Sequence, residues 1–403
     1  MAENKSPMAQ MKSKLDMKKY IHSGKHWSEL KFFDHMLTDA LVKHILGLIR
    51  YQMTDPGEII ETLGQMKSSS ERDWAIAWGN TARTVQARAD ESYNNNKMVS
   101  ASSAYLRAAS YWRIALMNFS EEEDPMIVDF SKNSVFCYDR YLEISGYPGE
   151  KIKIPYEDTH LFGHFYRSPV AKGKAPLLII TPGRDTWGED TVWVYDEALK
   201  RGIHCIVIEG PGQGTTLRLQ GLKFRNDWEK VITPVVDYAE TLSGIDMERI
   251  GLLGISFGSY LVPRAAAFDK RIKLCIANSG NISWGASIAK AFRTVKKLPK
   301  FLRPAMIESM VQDYGVKNDI DVVIEELDKY TNEDILDKIT CKVLVIDATA
   351  EVLPGRAKLF YDALKCPKHY MLFDEKTCTQ HHTQMGSYAP GSEILFDLVE
   401  DNL

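Results

Sequence analysis

Apolar residues recur every three or four positions through roughly the first third of the chain, which is the spacing of one helix face. The first such stretch comprises Leu30, Phe33, Leu37, Leu41, Ile45 and Leu48. Another runs near Val99 to Phe119, with small and aromatic residues on one side. No alternating, strand-like pattern occurs here, and the acidic segment Glu121–Pro125 ends the helical pattern. We therefore predict a helical domain over 21–130, preceded by a flexible lysine- and methionine-rich tail over 1–20.

The pattern changes after about residue 130. Two short alternating segments, 151–154 and 161–166, predict an antiparallel hairpin. Buried-strand runs separated by helical segments follow, at 177–180, 204–208, 250–253, 274–277, 342–346 and 369–373. Such alternation predicts the α/β class, with a mostly parallel, doubly wound sheet over 131–403. A lysine-rich helical segment interrupts it at about 284–338, which we interpret as a lid insertion over the strand ends.

Composition and charge argue against nucleic acid and membranes as binding partners. The 403 residues are 44% hydrophobic, enough for one large domain and a smaller one. A net charge of −4 provides no electrostatic footprint for nucleic acid or for an anionic membrane. No run of about 18 apolar residues is present, and the N-terminal segment lacks the apolar core of a secretory signal. We expect a cytoplasmic protein that acts on a small molecule.

Metal and cofactor signals are also absent from the sequence. The six cysteines are scattered without paired metal-ligand spacing, so neither a zinc site nor a disulfide framework is predicted. The glycine-rich segment Glu209–Gly214 follows a strand but lacks the Gly-Lys-Ser/Thr ending of a phosphate loop. We interpret it as a tight turn beside the active site, and we expect no metal and no cofactor.

The segment Gly254-Ile-Ser-Phe-Gly258 carries the clearest chemical signal. It follows the apolar run 250–253 and precedes a helical pattern that opens at Ser259 and Tyr260. Gly-x-Ser-x-Gly between a strand and a helix is the nucleophile elbow of α/β-hydrolases. The fold class thus becomes an α/β-hydrolase fold with Ser256 as the nucleophile. The N–H of Phe257 is the expected first donor to an oxyanion.

A serine nucleophile needs a general base, and the base needs an orienting carboxylate. The chain order Ser, acid, His places the base after the last strand, where His381 and His382 are adjacent. The acid should follow a late strand, which leaves Asp347 and Glu351. We favour Glu351 because Asp347 lies where the strand ends, too early to reach over the sheet.

The second oxyanion donor should come from the loop after the first core parallel strand. There Gly183 lets the backbone turn, and the N–H of Arg184 is the expected donor. Asp185 either contacts the substrate or caps the following helix, and both roles stay open. Among the aromatic residues of the helical domain, Tyr111 is a tentative substrate contact, although helix-packing core is the simpler interpretation.

These motifs together resemble the FrsA-like esterase branch of the α/β-hydrolases, and within it the fungal polyketide-pathway hydrolases of pigment and fusarin-type synthesis. The resemblance rests on Gly183–Asp185, Glu209–Gly214, Gly254–Gly258 with Pro263–Ala266, 354–367, and His382-Thr-Gln. It implies a helical cap over the hydrolase core, a homodimer, and an aromatic polyketide or aryl ketone substrate. Family members carry His-Cys-Gln at the base, which selects His382. Their acid is usually Asp, so Glu351 in a shorter loop is a departure.

The resulting hypothesis is a Ser256–His382–Glu351 serine hydrolase that cleaves a β-dicarbonyl C–C bond or an ester. One alternative is an acyltransferase that uses the same residues and passes the acyl group to an alcohol. The other is a non-catalytic binding protein on a hydrolase fold, against which the complete set of serine, acid and histidine argues.

Overall fold

The structure is a computed structural model that describes residues 26–34, 36–117, 119–121, 123–297, 306–351 and 355–403. The predicted tail over 1–20 lies outside the described residues. The described residues of the N-terminal part contain five α-helices: α1 Met36–Gly47, α2 Pro56–Gln65, α3 Glu71–Asn94, α4 Met98–Leu116 and α5 Pro125–Ser145. The last three pack side by side.

The helical part ends at Ser145 rather than near residue 130, and the first strand begins at Gly149. The acidic segment before Pro125 starts a helix instead of closing the domain. Asp124 accepts the Met126 N–H at 2.8 Å, and Pro125 occupies the first helical position. An N-terminal proline has no N–H to lose there, so Asp-Pro is a favourable helix start.

Eight strands form one sheet in the order β1-β2-β4-β3-β5-β6-β7-β8. The strands are β1 Gly149–Tyr156, β2 Thr159–Tyr166, β3 Ala175–Thr181, β4 His204–Glu209, β5 Ile245–Ile255, β6 Ile272–Asn278, β7 Lys342–Ala348 and β8 Lys368–Phe373. The β1–β2 and β2–β4 pairs are antiparallel, and the other five pairs are parallel. The predicted mostly parallel α/β class is confirmed.

Helices cover both faces of this sheet. They are α6 Val192–Lys200, α7 Gly214–Gln220, α8 Glu229–Glu240, α9 Phe257–Phe268, α10 Trp284–Val295, α11 Met306–Tyr314, α12 Ile320–Asp328, α13 Arg356–Ala363 and α14 Tyr388–Glu400. Successive residues of a strand point to opposite faces. Leu178 and Ile180 accordingly join the core shared with the N-terminal helices, while Leu177 and Ile179 join the core on the other face.

Among the described residues between β6 and β7, in the segment predicted as a lid, lie the three α-helices α10, α11 and α12. α10 packs against α12, and Gly285 allows this contact, because a Cβ there would lie 2.1 Å from the Leu327 carbonyl oxygen. Residues 298–305 are outside the described part of the chain. Across the described residues, we find no helix with the length and apolarity needed to cross a membrane.

Candidate active site

The predicted elbow joins β5 directly to α9, and Ser256 is the single residue between them. Ser256 has φ 54° and ψ −117°, a conformation that side-chain-bearing residues rarely adopt. Its flanking glycines allow the turn to close. A Cβ on Gly254 would lie 2.1 Å from the Gly258 carbonyl oxygen, and one on Gly258 would lie 2.5 Å from that of Thr181. The motif therefore requires glycine at both positions.

Gly258→Ala is expected to lower the free energy of unfolding by about 1–3 kcal/mol, because the new methyl group meets fixed backbone atoms. Thermal unfolding followed by circular dichroism measures this. Gly64→Ala is the matched control, since a Cβ there meets nothing within 4 Å on helix α2. That control should gain up to about 1 kcal/mol from helix propensity. Equal stability of the two variants would contradict the packing argument.

Ser256, His382 and Glu351 form a continuous hydrogen-bonded line. The His382 Nε2 lies 2.8 Å from the Ser256 Oγ, and its Nδ1 lies 2.5 Å from Glu351 Oε1. Glu351 follows β7 and His382 follows β8, so both come from the carboxyl ends of parallel strands. With the Nδ1–H donating to Glu351, Nε2 is left to accept the serine proton. This geometry is that of a nucleophile, base and orienting acid.

Asp347 and His381, the competing residues in the sequence, lie elsewhere. Asp347 is buried at the end of β7, where it accepts hydrogen bonds from the Tyr370 hydroxyl at 2.7 Å and its neighbour Ala348 at 2.8 Å. The His381 ring lies 5.9 Å from the Trp27 ring. Its imidazole makes no described hydrogen bond to Ser256 or to Glu351.

Ser279 is a neighbour of the base that sequence reasoning did not identify. Its Oγ lies 3.2 Å from His382 Nδ1, next to the Glu351 contact. The residue directly follows β6, and the carboxyl ends of parallel strands converge at one edge of a sheet. Its position directly after a predicted strand could have indicated that it lies near the active site, but it belongs to no recognised motif.

The electrostatics of His382 are set by burial and by Glu351. Burial alone lowers the pKa of the imidazole, because it disfavours the charged form. The adjacent Glu351 carboxylate outweighs this effect through its charge and its hydrogen bond, so the net pKa of His382 is raised above its ordinary value. The site therefore stabilises an imidazolium beside Ser256.

The loop after β3 lies against the nucleophile. A Cβ on Gly183 would be 3.0 Å from the Ser256 Cβ and 3.5 Å from its Oγ, so only glycine lets the backbone approach this closely. Phe257 is the first residue of α9, and the first N–H groups of a helix have no intrahelical partner. Of the two expected donor residues, Phe257 directly follows Ser256 in the chain. Arg184 directly follows Gly183, which packs against Ser256.

The side chains of Arg184 and Asp185 form a buried ionic cluster with Asp313 of α11. Arg184 contacts Asp185 at 2.6 Å and Asp313 of α11 at 2.7 Å. Of the two roles left open for Asp185, helix capping is not seen, because α6 has no side-chain cap and the 3₁₀ turn Gly188–Thr191 before it is closed by Asp190, which accepts the Trp187 N–H at 3.3 Å. Burial, together with the like charge of Asp185, raises the pKa of Asp313 to about 7.

Tyr111 is not brought to this site, which corrects the tentative prediction of a substrate contact. Its hydroxyl donates to Glu58 at 2.7 Å and accepts the Asp55 N–H at 2.9 Å, entirely within the N-terminal helices. Its ring packs 5.5 Å from that of Trp78. The side chain is core of the helical domain.

A cavity of about 250 Å³ opens onto Ser256 between α1, the sheet edge and α10. Its walls are mostly apolar and aromatic, with Leu41, Met117, Trp193, Ile255, Trp284, Ile288, Met385 and Tyr388 among them. Arg184, Asp185, Asp190 and Asn281 supply polar atoms. This composition suits a small, largely apolar ligand with a few polar groups.

His44 is another cavity residue that no sequence motif marks. It lines the cavity from α1, and its Nδ1 lies 2.6 Å from the Tyr388 hydroxyl. Tyr388 in turn stacks on Trp193, with ring centroids 4.8 Å apart. Burial lowers the pKa of the His44 imidazole below its ordinary value, because it disfavours the charged form. No sequence pattern links residues so far apart.

Comparison with known proteins identifies the family to which this chain belongs. The model of the esterase FrsA-like family matches residues 55–330, more than half of the chain. The chain belongs to the esterase FrsA-like family. The resemblance predicted from the motifs is thereby confirmed.

Among its relatives is the 20-hydroxy-prefusarin hydrolase FUS2 of Gibberella moniliformis, 35% identical over 250 residues, 59% of this chain and 58% of that protein. The alpha/beta hydrolase xenA of Xenoacremonium sinensis is 30% identical over 279 residues, 66% of this chain and 65% of that protein. The chain thus spans somewhat less than two thirds of the length of these relatives.

Solved structures support the fold. The crystal structure of a 2,6-dihydroxy-pseudo-oxynicotine hydrolase superposes with a TM-score of 0.73 at 19% identity, covering 89% of this chain and 95% of that one. The structure of wild-type AbyA5 gives a TM-score of 0.62 at 16% identity, covering 87% and 88%. The α/β-hydrolase fold with its N-terminal helices is therefore shared over most of the chain.

Proposed function

We propose that the chain is a serine hydrolase that cleaves a C–C bond of a β-dicarbonyl, or an ester bond, in a small aromatic polyketide-type metabolite. The observation that carries the proposal is the line from Glu351 through His382 to Ser256, with contacts of 2.5 and 2.8 Å, which opens onto an apolar cavity.

The proposed reaction has two halves. Ser256 Oγ attacks the substrate carbonyl while His382 Nε2 takes the hydroxyl proton, and the tetrahedral intermediate then collapses. The bond to the leaving carbon or oxygen breaks, and His382 returns the proton to that atom. Water, deprotonated by the same nitrogen, then hydrolyses the acyl-enzyme, which releases a carboxylic acid and free Ser256.

The negative charge of the intermediate requires donors in place before the reaction. We assign this role to the N–H groups of Phe257 and Arg184, on the grounds that Phe257 opens α9 and that Gly183 packs on Ser256. A donor of this kind contributes roughly 3–4 kcal/mol to the transition state in comparable sites.

The substrate class is inferred from the cavity and from the relatives. Aromatic walls formed by Trp193, Trp284 and Tyr388 favour a flat, apolar substrate. The relative FUS2 is named for hydrolysis of 20-hydroxy-prefusarin, a fungal metabolite by its name and source. Chain shortening of such a compound releases an acyl fragment.

The helices α10 to α12 are proposed to act as a lid that covers the strand ends during turnover.

A fluorophosphonate probe tests the proposal, because it forms a covalent adduct only with an activated serine. We expect labelling of the wild-type protein at the peptide that contains Ser256, and none after Ser256→Ala. Ser69→Ala is the matched control, since Ser69 is exposed and outside the cavity, and it should label at the wild-type rate. Wild-type protein that resists the probe would refute the proposal. Mass measurement of the products, with and without an added alcohol, then separates hydrolysis from acyl transfer.

A further inference from the structure

The buried side chain of Gln213 connects two loops at the carboxyl edge of the sheet. It belongs to the glycine-rich turn Glu209–Gly214 after β4, and only 1% of it is exposed. The sequence predicts no more than a tight turn here. In the structure the side chain reaches across to the loop after β3, which carries Gly183 and Arg184.

The hydrogen bonds of Gln213 fix the orientation of its amide. Its Oε1 accepts the Gly210 N–H at 3.0 Å, so its Nε2 faces the other loop. There Nε2 donates to the Pro182 carbonyl at 2.6 Å and lies 3.4 Å from the Gly183 carbonyl. Rotating the amide by 180° would set its oxygen against both carbonyls, so only this orientation satisfies the donors and acceptors.

The trans peptide bond transmits this orientation to the next residue. In a trans peptide, the carbonyl and the following N–H point in opposite directions. When the Gly183 carbonyl is drawn toward Gln213, the Arg184 N–H is directed away from it. Gly183 packs against Ser256, since a Cβ on Gly183 would lie 3.5 Å from the Ser256 Oγ, so this peptide lies beside the nucleophile.

We propose that Gln213 is a positioning residue that aims the Arg184 N–H at the oxyanion. The inference rests on the proposed serine hydrolase function, and it assigns the glycine-rich motif a part in that mechanism. Gln213 touches no reacting atom, and its effect is exerted through the Pro182 and Gly183 carbonyls.

The turn that bears Gln213 is also held by bonds that do not involve the Gln213 side chain. Glu209 accepts the N–H groups of Gly188 at 2.9 Å and Thr215 at 2.7 Å, which binds the turn to the neighbouring loop. The Gly212 N–H donates to the Leu222 carbonyl at 2.8 Å. A variant that also keeps the acceptor for the Gly210 N–H should therefore change the contact with the oxyanion loop and leave the turn in place.

Gln213→Glu is the decisive variant, because it keeps the length and the acceptor but loses the amide donor. At pH 8 the introduced carboxylate repels the Pro182 carbonyl, and we expect kcat for a 4-nitrophenyl ester to fall about 10²-fold with little change in KM. On acidification the buried carboxyl takes up a proton, and its O–H can donate to Pro182 again. The ratio of variant to wild-type kcat should therefore rise as pH falls, and the His382 titration cancels in that ratio.

Gln213→Met provides the matched comparison, since it keeps the volume and has no donor at any pH. It should show a similar loss of kcat at pH 8 without recovery at lower pH, and both variants should still be labelled slowly at Ser256. If both variants kept the wild-type kcat, the proposed role of Gln213 would be refuted, and the proposed serine hydrolase function would be unaffected. A pH-independent loss in Gln213→Glu, or a rise in KM alone, would also overturn it. Wild-type protein that neither labels nor turns over would instead refute the serine hydrolase function, and this proposal with it.

Discussion

Replacing His382 with glutamine is expected to lower kcat by about 10⁶-fold, as loss of the catalytic histidine does in a serine protease. His382 Nε2 lies 2.8 Å from Ser256 Oγ, so it is positioned to take the serine proton. Glutamine fills most of the space and still bonds to neighbours, but it cannot accept and return a proton. Steady-state hydrolysis of a 4-nitrophenyl ester measures the effect.

His381→Gln is the control, because the two histidines are adjacent and both line the cavity. The imidazole of His381 faces Trp27 rather than Ser256, and burial lowers its pKa to about 4. This variant should retain most of the wild-type kcat, with any loss appearing chiefly in KM. If His381→Gln abolished turnover while His382→Gln kept it, the assignment of the base would be reversed.

The elements that sequence predicts well are those whose pattern is local. The elbow is one, because Gly254 and Gly258 are required by contacts within a few residues of Ser256 and by the adjacent loop. The strand runs are another, since a buried parallel strand is apolar throughout. The order serine, acid, histidine then leaves few residues to choose from, and the structure brings Ser256, Glu351 and His382 together.

Residues that depend on distant partners could not be placed in the same way. Tyr111 lies on an apolar helix face, but the pattern does not say whether that face meets a cavity or another helix. Its partner Glu58 is 53 positions away. His44 contacts Tyr388, 344 positions away, and nothing in the local sequence of either residue indicates the other. Tertiary packing decides both cases.

The boundary of the helical domain was predicted wrongly for a different reason, because the same sequence signal is compatible with the end of one helix and with the start of another. An acidic segment ending in Asp-Pro interrupts a helical pattern, yet Asp124 and Pro125 are also the favoured first residues of a new helix. Only the packing of α5 against α4 shows that the domain continues to Ser145. Gln213 is similar, because its turn is locally predicted while its function depends on a loop 31 positions earlier.

Replacing Glu351 with glutamine is expected to lower kcat by about 10⁴-fold, the effect of the equivalent change in a serine protease. The amide retains the shape of the side chain but not the charge that stabilises the imidazolium. It can also turn its NH₂ toward His382 Nδ1, which would leave the ring proton on the nitrogen that must accept from Ser256.

The pH dependence of the same variant gives a second, independent result. A general base works only when neutral, so the acidic limb of kcat/KM follows the pKa of His382. In the wild-type protein, burial lowers this pKa and the Glu351 carboxylate raises it to a net value above the ordinary one. Glutamine removes the raising effect and leaves the burial. The imidazolium then loses its proton at lower pH, so the limb should move toward acid.

Asp347→Asn tests the alternative acid under the same conditions. Asp347 bonds to Tyr370 and to the backbone at Ala348, so its loss should cost stability, on the order of 1 kcal/mol for a hydrogen bond. The acidic limb should stay in place, and most of kcat should remain. A limb that moved in Asp347→Asn and not in Glu351→Gln would make Asp347 the acid. In the structure, Glu351 Oε1 lies 2.5 Å from His382 Nδ1, whereas Asp347 bonds to Tyr370, and this geometry favours Glu351.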